Sequence, residues 1–442
     1  MDLRRKLLSQ STVIFAARIF GAALIFLAQA GIARFWGANI LGEYLLIIAA
    51  VNLIAVAMPL GFETIGSYFA AEYRAKGEGQ MLWGFIVRAY SHVVVLTAVL
   101  AVLGYPLAGL FGAPGEVMQA HWVPAIILAF ASAMVLVNGA LLVGLKRPFA
   151  GFFADTIFRP LVVVAALGLG YFALNPALAF AEMIWIVALG YLAISLVHFG
   201  FVIRAVLPIS RVEPVRAEEP KRWWRFAMPW VVIALATDYF FDLDLLLLAG
   251  HLSREELAIF GVCTRVFSLV SFGVASVYAV TLPDMFESEA MRDRAGFLKK
   301  VGDANLVASV LSVVLFVLML VGAPFALMLF GPAFLAGVAP LGVLCLALVV
   351  RSVFGPASLM LSIHDRPYAS LPSIALGLAT LVAANLLLVP NFGLMGAASS
   401  ALLSITVWSA AQWYTALRIA GVDVSIRARL VKPRLLVEQP AE

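Results

Sequence analysis

Arg18, Arg265 and Arg351 each stand well inside a long apolar run, and Asp238, Asp242 and Asp244 crowd into another. An ionised side chain near the middle of a bilayer costs about 3 kcal/mol or more unless it is paired or wet. Each of these six is therefore a candidate functional group. Arg18 comes about nine residues into its run, a depth of roughly 13 Å at 1.5 Å per residue, and Arg265 is about as deep in its own. Arg351 falls near the middle of a third run. Asp238 and Asp242 are one helical turn apart and share a face, whereas Asp244 is rotated away, nearer the outer surface. Two chemistries fit this set. In one, arginines pair with aspartates and hold helices together, because buried charges are normally paired. In the other, arginines line a water-filled cavity and take up an anionic group, for which the planar guanidinium fork suits a phosphate. The aspartates then serve as charge partners or as ion-coupling groups. Pro229 lies early in the aspartate-bearing run and should bend it, as a gating hinge or as an inert kink.

Other polar residues carry less. His92 and His198 lie towards cytoplasmic helix ends and read as packing residues. Glu63 falls late in the second run, where it reaches the inner interface. Asn52, Asn138 and Asn385 either tie helices together or line a cavity. The chain has no metal-ligand cluster of the HExxH or CxxC kind, no P-loop and no Ser/His/Asp set, so no metal, cofactor or direct use of ATP is expected. Cys263 and Cys345 both lie in apolar runs, so a disulfide framework is not expected.

The elements that must position these groups follow from composition. Of 442 residues, 63% are hydrophobic and 12% charged, against roughly 45–50% and 25% in soluble proteins. That leaves too few charges to coat a soluble fold. A helix crosses the hydrocarbon with about 20 apolar residues. Such runs lie near residues 11–33, 44–69, 84–105, 121–144, 156–174, 181–203, 224–249, 256–281, 303–329, 337–361, 368–389 and 394–417. The basic, then apolar N-terminus reads as a retained first helix, because its apolar stretch is too long for a signal peptide. With twelve spans both termini share a side, and most of the 30 Lys and Arg gather there. Arg159 is counted among them. Only Arg34 and Arg254 fall on the opposite side. The positive-inside rule puts both termini in the cytoplasm. The net charge of +5 is thus a topology signal, and no nucleic-acid partner is expected.

The chain also echoes itself. Arg147-Pro148-Phe149 returns as Arg366-Pro367-Tyr368, and Gly104-Tyr105-Pro106 with Phe111-Gly112 returns as Gly322-Ala323-Pro324 with Phe330-Gly331. More weakly, Ala33 and Tyr44 correspond to Ala249 and Phe260. Six spans separate the members of each pair, so the two halves enter the membrane in the same sense, about a pseudo-twofold axis along the membrane normal. The expected fold class is an all-α polytopic membrane protein of about twelve helices in two six-helix lobes. The lobes are residues 1–203 and 224–417. A proline-bearing cytoplasmic linker, 204–223, joins them, and a polar, solvated cytoplasmic tail, 418–442, follows.

The run Ile32-Ala33-Arg34, Gly37, Gly42-Glu43-Tyr44 and Pro59-Leu60-Gly61-Phe62 resembles the start of the bacterial polysaccharide transporter family. That family includes the O-antigen (Wzx-like) flippases and belongs to the multidrug/oligosaccharidyl-lipid/polysaccharide exporter superfamily. The second half resembles it in Asp244 followed by Leu245–Leu248, in Phe260 and in Pro283, although the family often has tyrosine where Phe260 stands. The resemblance implies a flippase of the bacterial cytoplasmic (inner) membrane for a polyprenyl-pyrophosphate-linked oligosaccharide, working by alternating access. It also implies a cationic cavity, which Arg18, Arg265 and Arg351 fit by type and depth; Arg351 matches no motif of the family. The lipid II flippase branch usually has two further helices, which this chain lacks. Implied partners are the lipid-linked oligosaccharide, membrane lipids, and the polysaccharide polymerase and chain-length proteins, with the chain itself a monomer. The rival functions are a cation-coupled multidrug antiporter, which would favour carboxylates in the first lobe, and a membrane-embedded polymerase or ligase, which would carry a larger outer loop.

Overall fold

The computed structural model describes residues 3–172, 178–209, 219–291, 293–364 and 366–430. The middle of the linker, with Arg211, Pro214 and Arg216, lies outside the described residues, as do Arg292 and the tail cations Lys432 and Arg434. The described chain is helical, with no strand. Ten stretches are long and apolar enough to cross a membrane. One of them is a helical hairpin, and a further crossing is made of two shorter helices, which brings the number to the expected twelve. Large apolar side chains such as Val102, Val321 and Phe325 stand open on the helix surfaces. Water would not tolerate so much exposed hydrocarbon; lipid does. The protein is a multi-pass membrane protein.

Two compact units divide the chain at Gly261–Val262. The first contains α1 (Leu3–Trp36), α2 (Ala38–Ala57), α3 (Phe62–Lys76), α4 (Gly79–Phe111), α5 (Trp122–Gly144), α6 (Pro148–Phe172), α7 (Ala179–Val206), α8 (Glu219–Thr237) and α9 (Phe240–Leu248). Helix α5 carries no charged residue, and small side chains (Ala125, Ala129, Ala131, Ala133) let its neighbours approach closely. Helices α2, α3, α4 and α7 pack around α5. Helices α8 and α9 rest on α2 and α3. This packing groups them with the first unit by compactness, although the linker precedes them in sequence.

The second unit begins within α10 (Arg254–Ala290) and continues through α11 (Arg294–Met328), α12 (Val338–Phe354), α13 (Ala357–Ile363) and α14 (Leu371–Ile419). Helix α14 is the hairpin. Its backbone leaves helical geometry at Gly393, after Pro390, and its arms meet where the Ser404 hydroxyl donates to the Gly377 carbonyl at 2.8 Å. Helix α12 packs between α11 and α14. Cys263 and Cys345 are buried and unlinked.

Three expected spans are interrupted. The second, read as 44–69, breaks at Pro59-Leu60-Gly61: Pro59 has no N–H to continue the helix, and Leu60 and Gly61 take positive φ of 53° and 84°. At Gly61 a Cβ would sit 2.2 Å from the Ala227 carbonyl oxygen, so only glycine lets α8 come this close. Glu63 consequently opens α3, where burial pushes its carboxyl up to about 7. The seventh span breaks at Asp238-Tyr239; Pro229, expected to bend it, lies inside α8, which continues to Thr237. The tenth breaks at Gly355-Pro356. The tail also departs from expectation. Val422 and Val424, read as part of a solvated end, are buried against α11 and α13. Both are apolar and follow directly on the last span, so burying them removes hydrocarbon from water.

The echoed motifs have alike backbones. Arg147 and Arg366 each precede a helix that starts on proline, with φ,ψ of −120°, 58° and −125°, 48°. Gly112 and Gly331 both have positive φ before the next helix.

Outside the spans, α8 is clamped to the polar end of α3. Arg222 donates to both carboxylate oxygens of Glu72 at 3.2 and 2.9 Å and lies over the Phe69 ring. The Trp223 ring nitrogen donates to the Tyr73 hydroxyl at 2.6 Å, which donates to Glu219 at 2.8 Å. Burial pushes the Glu72 carboxyl up, but hydrogen bonds from Arg222 and Lys76 more than offset this and hold it below its ordinary value of 4.5. A depressed folded value means stabilisation that is present above about pH 4.5 and lost as pH falls through the folded value. Glu72→Gln should therefore lower the melting temperature at pH 7 in detergent, and the gap from wild type should close as the acid limb is entered. A gap of the same size on both sides of that limb would show that the clamp is not ionic.

Candidate functional site

Helix α6 starts on Pro148, a favoured first helical residue. It widens to a π-turn at Ala154–Phe158 before continuing from Arg159. Such bulges recur at functional sites because they re-aim side chains. Here one bulge sets Asp155 and Arg159 against each other. Arg159 donates to Asp155 at 2.6 Å and to the Ser132 hydroxyl of α5 at 2.7 Å, and its guanidinium lies 4.3 Å above the Tyr191 ring of α7. Arg159 is largely enclosed, whereas the Asp155 side chain is 54% exposed. A carboxylate opening onto hydrocarbon would be prohibitively costly, so the side of α6 bearing Asp155 faces water.

The same unit gathers more polar groups at the break between α8 and α9. Tyr239 lies within electrostatic reach of Asp155, Arg159, Asp238 and Asp242. Asp238 is exposed and accepts from the Thr237 hydroxyl at 3.2 Å. Asp242 is buried and accepts from Asn52 of α2 at 2.9 Å. Asp244 is fully buried on α9. A polar track thus runs from α6 through Tyr239 to α2 inside an otherwise apolar bundle. Arg18 lies near the midpoint of α1 with its side chain exposed, its guanidinium 4.8 Å from the centre of the Phe152 ring, one turn before Asp155. Among the described residues no carboxylate pairs with Arg18.

In the second unit, Arg265 is half-buried on α10. Arg351 is exposed in the last turn of α12, within electrostatic reach of Tyr278. Arg18 and the three aspartates belong to one unit, Arg265 and Arg351 to the other. Of the expected set, the structure brings Asp238 and Asp242 to the edge of one helix break, beyond Pro229 in the chain.

The lesser candidates divide cleanly. Asn138 is a helix tie, donating to the Ser195 carbonyl at 3.1 Å and accepting from Tyr90. Asn52 holds Asp242, and Asn385 is buried. His92 packs against Phe62 and Trp224, and His198 bonds the Ala150 carbonyl at 2.8 Å. Among the described residues no three His, Cys, Asp or Glu side chains converge as metal ligands.

Sequence reasoning missed the Asp155–Arg159 pair. Starting the fifth span at residue 156 left Asp155 outside and counted Arg159 as a cytoplasmic cation. The helix-start signal at Pro148, with an Asp and an Arg spaced i,i+4 in the following run, could have found it.

This geometry defines a class: a multi-pass helical protein with polar groups gathered at a helix break and exposed Arg18 and Arg351 on long apolar helices. No family model matches the chain, and no curated protein matches it in sequence. Solved structures do match its fold. An inward-facing multidrug resistance MATE family transporter of the MOP superfamily is similar with a TM-score of 0.76 at 16% identity, covering 93% of this chain and 96% of that one. A MATE in the bent conformation matches with a TM-score of 0.63 at 16% identity, covering 92% and 94%. The lipid II flippase MurJ, in an inward closed conformation, matches with a TM-score of 0.70 at 11% identity, covering 95% and 91%. The chain has the fold of the MOP-superfamily transporters, with about twelve membrane helices.

The enclosed arginine should matter for stability in a way its exposed partner does not. Arg159→Met leaves the buried Ser132 hydroxyl without its donor and empties the space over the Tyr191 ring, and should destabilise by about 1–3 kcal/mol, the usual cost of an unpaired buried polar group. Asp155→Asn keeps a hydrogen-bond acceptor at an exposed position and should cost far less. Thermal melts of the purified variants in detergent check the order; equal losses would refute it.

Proposed function

We propose that this protein is a flippase of the bacterial cytoplasmic (inner) membrane. It moves a polyprenyl-pyrophosphate-linked oligosaccharide, the repeat unit of an O-antigen, capsule or exopolysaccharide, to the outer leaflet by alternating access. The observation that carries this reading is Arg18. An exposed guanidinium halfway along a membrane helix, over an aromatic ring and without a carboxylate partner among the described residues, is a cation held ready for an anion. Arg265 and Arg351 extend the reading to the second half of the chain. In this reading the six-helix lobes, 1–203 and 224–417, are joined by the 204–223 linker, and Arg18, Arg265 and Arg351 take the pyrophosphate and acidic sugars. Both termini lie in the cytoplasm, on the side where the basic residues gather. The protein acts as a transporter rather than an enzyme and works as a monomer. It hands its product to the polymerase and chain-length proteins, and the ion gradient, membrane potential or product consumption drives it. The fold shared with a lipid II flippase supports the substrate class.

One observation favours a second reading, a cation-coupled multidrug antiporter. Asp155 offers an exposed carboxylate inside α6, and Asp242 a buried one on α9. A cationic drug would prefer these to the arginines, and the MATE transporters share the fold.

Deleting the gene and extracting lipids separates the two. The flippase reading expects complete lipid-linked repeat units to accumulate on the cytoplasmic leaflet, with surface polysaccharide lost. Normal lipid-linked glycans together with heightened sensitivity to cationic drugs would favour the antiporter. Arg18→Ala and Arg265→Ala should each cut export about tenfold or more at unchanged protein level, since a charge-assisted hydrogen bond contributes about 1.5–3 kcal/mol. Recovery with Arg→Lys would show that charge suffices; full export by both alanine variants would remove the arginines from the site.

A further inference from the structure

Beyond the last span the chain turns back on the second unit. The Gly421 carbonyl accepts from Arg294 at 3.2 Å, and Arg429 pairs with Asp303 at 2.9 Å. Between these anchors Val422 and Val424 enter an apolar cluster with Phe297, Val301 and Met360. Asp423 folds the segment locally, accepting from Trp413 at 2.8 Å and from the backbone and hydroxyl of Ser425 at 3.0 and 2.7 Å. Ten residues read as a solvated tail are thus a docked strap.

What the strap touches is the end of α12. Helix ends leave backbone carbonyls without intrahelical partners, and in a membrane protein something must satisfy them. At this end the following residues cannot do so in the regular way: Pro356 has no N–H to give Ser352, and the Ala357 N–H turns to the Gly355 carbonyl instead of Val353. The carbonyls of Arg351 and Ser352 accept from Gly355, and that of Ser352 also from the Ser309 hydroxyl. The carbonyl of Val353 accepts from the backbone N–H of Ile426, at 3.0 Å, in the strap. Gly355 has φ of 81°, and a Cβ there would lie 1.9 Å from the Val424 carbonyl oxygen, so the break in the tenth span is shaped to receive the strap. The strap also reaches a side chain. The Val424 carbonyl accepts from Asn305 at 2.9 Å, and Asn305, wholly buried, accepts from the Tyr278 hydroxyl at 2.8 Å. Tyr278 lies within electrostatic reach of Arg351, which shares the last turn of α12 with the capped Val353 carbonyl.

We propose that residues 421–430 are a positioning element for substrate binding: the strap caps the last turn of α12 through Ile426 and fixes Asn305 and Tyr278, and so holds the Arg351 guanidinium in place for the substrate's anionic group. This rests on the reading of Arg351 as a substrate-binding residue. Asn305 and Tyr278 act through Arg351, not on substrate, and the strap acts on transport without entering its path.

The test uses the full chain, purified in detergent, with hydrogen–deuterium exchange across residues 349–357 and binding of farnesyl pyrophosphate and of inorganic pyrophosphate. Val424→Asp puts a carboxylate into the apolar cluster and should release the strap. Exchange in the last turn of α12 should then rise about tenfold or more. Should that variant fail to fold, Ile426→Pro removes only the capping N–H at a half-buried position and should give the same local rise. In the binding arm, Tyr278→Phe should raise the half-saturating concentration of farnesyl pyrophosphate severalfold with an unchanged endpoint, and should add nothing in an Arg351→Ala background. Unchanged exchange with the strap disrupted would overturn the proposal, as would an effect of Tyr278→Phe that adds in full to that of Arg351→Ala. If the wild type binds neither probe, the substrate reading has failed; the exchange result still decides whether the strap caps α12.

Discussion

Hydrocarbon offers no hydrogen bond, and most of this molecule's particular features follow from that. A backbone or side-chain polar group inside the membrane must find its partner within the protein or open onto water. Regular helix satisfies the backbone cheaply, which is why apolar helices make up nearly the whole described chain. Wherever the helix fails, a partner is found close by. At the break between α8 and α9, the N–H groups of Asp238 and Tyr239 return to the Ala234 carbonyl, and Asn52 steadies Asp242. At Gly355-Pro356 the C-terminal strap supplies the missing donor. At Pro59–Gly61 the chain turns on two residues of positive φ, and α8 closes over the turn.

The same constraint sorts the charges. Arg159 is spent within the fold: a carboxylate, a hydroxyl and an aromatic face take up its guanidinium. Arg18, on α1, meets only an aromatic ring among the described residues and is exposed. One arrangement organises a bundle, and the other leaves a cation available. Helices α8 and α9 bring Tyr239 and Asp242 up to the first group of helices, so the polar track crosses α6, α9 and α2 without leaving one compact unit.

The fold class could be read almost directly, because a twenty-residue apolar run has few stable alternatives in a bilayer. The runs ending at Gly144, beginning near Ala179 and beginning near Arg254 needed no correction beyond their edges. Errors gathered where a residue's role depends on distant chain. The seventh span is interrupted at Asp238-Tyr239, beyond Pro229, which lies inside α8. Arg159, close to the start of its apolar run, reads from sequence as a cytoplasmic cation; only the fold shows it enclosed by α5 and α7.

By itself, then, the order of apolar residues determined the membrane helices and their approximate number, because these depend on the local free energy of placing each segment in hydrocarbon. Tertiary structure alone decided which charges are enclosed and which are open, where the seventh and tenth spans break, and that residues 421–430 fold back as a strap. Those outcomes rest on contacts such as Arg159 with Ser132, Asn52 with Asp242 and Asn305 with Val424. Their partners lie tens to hundreds of residues apart, so no local pattern carries them.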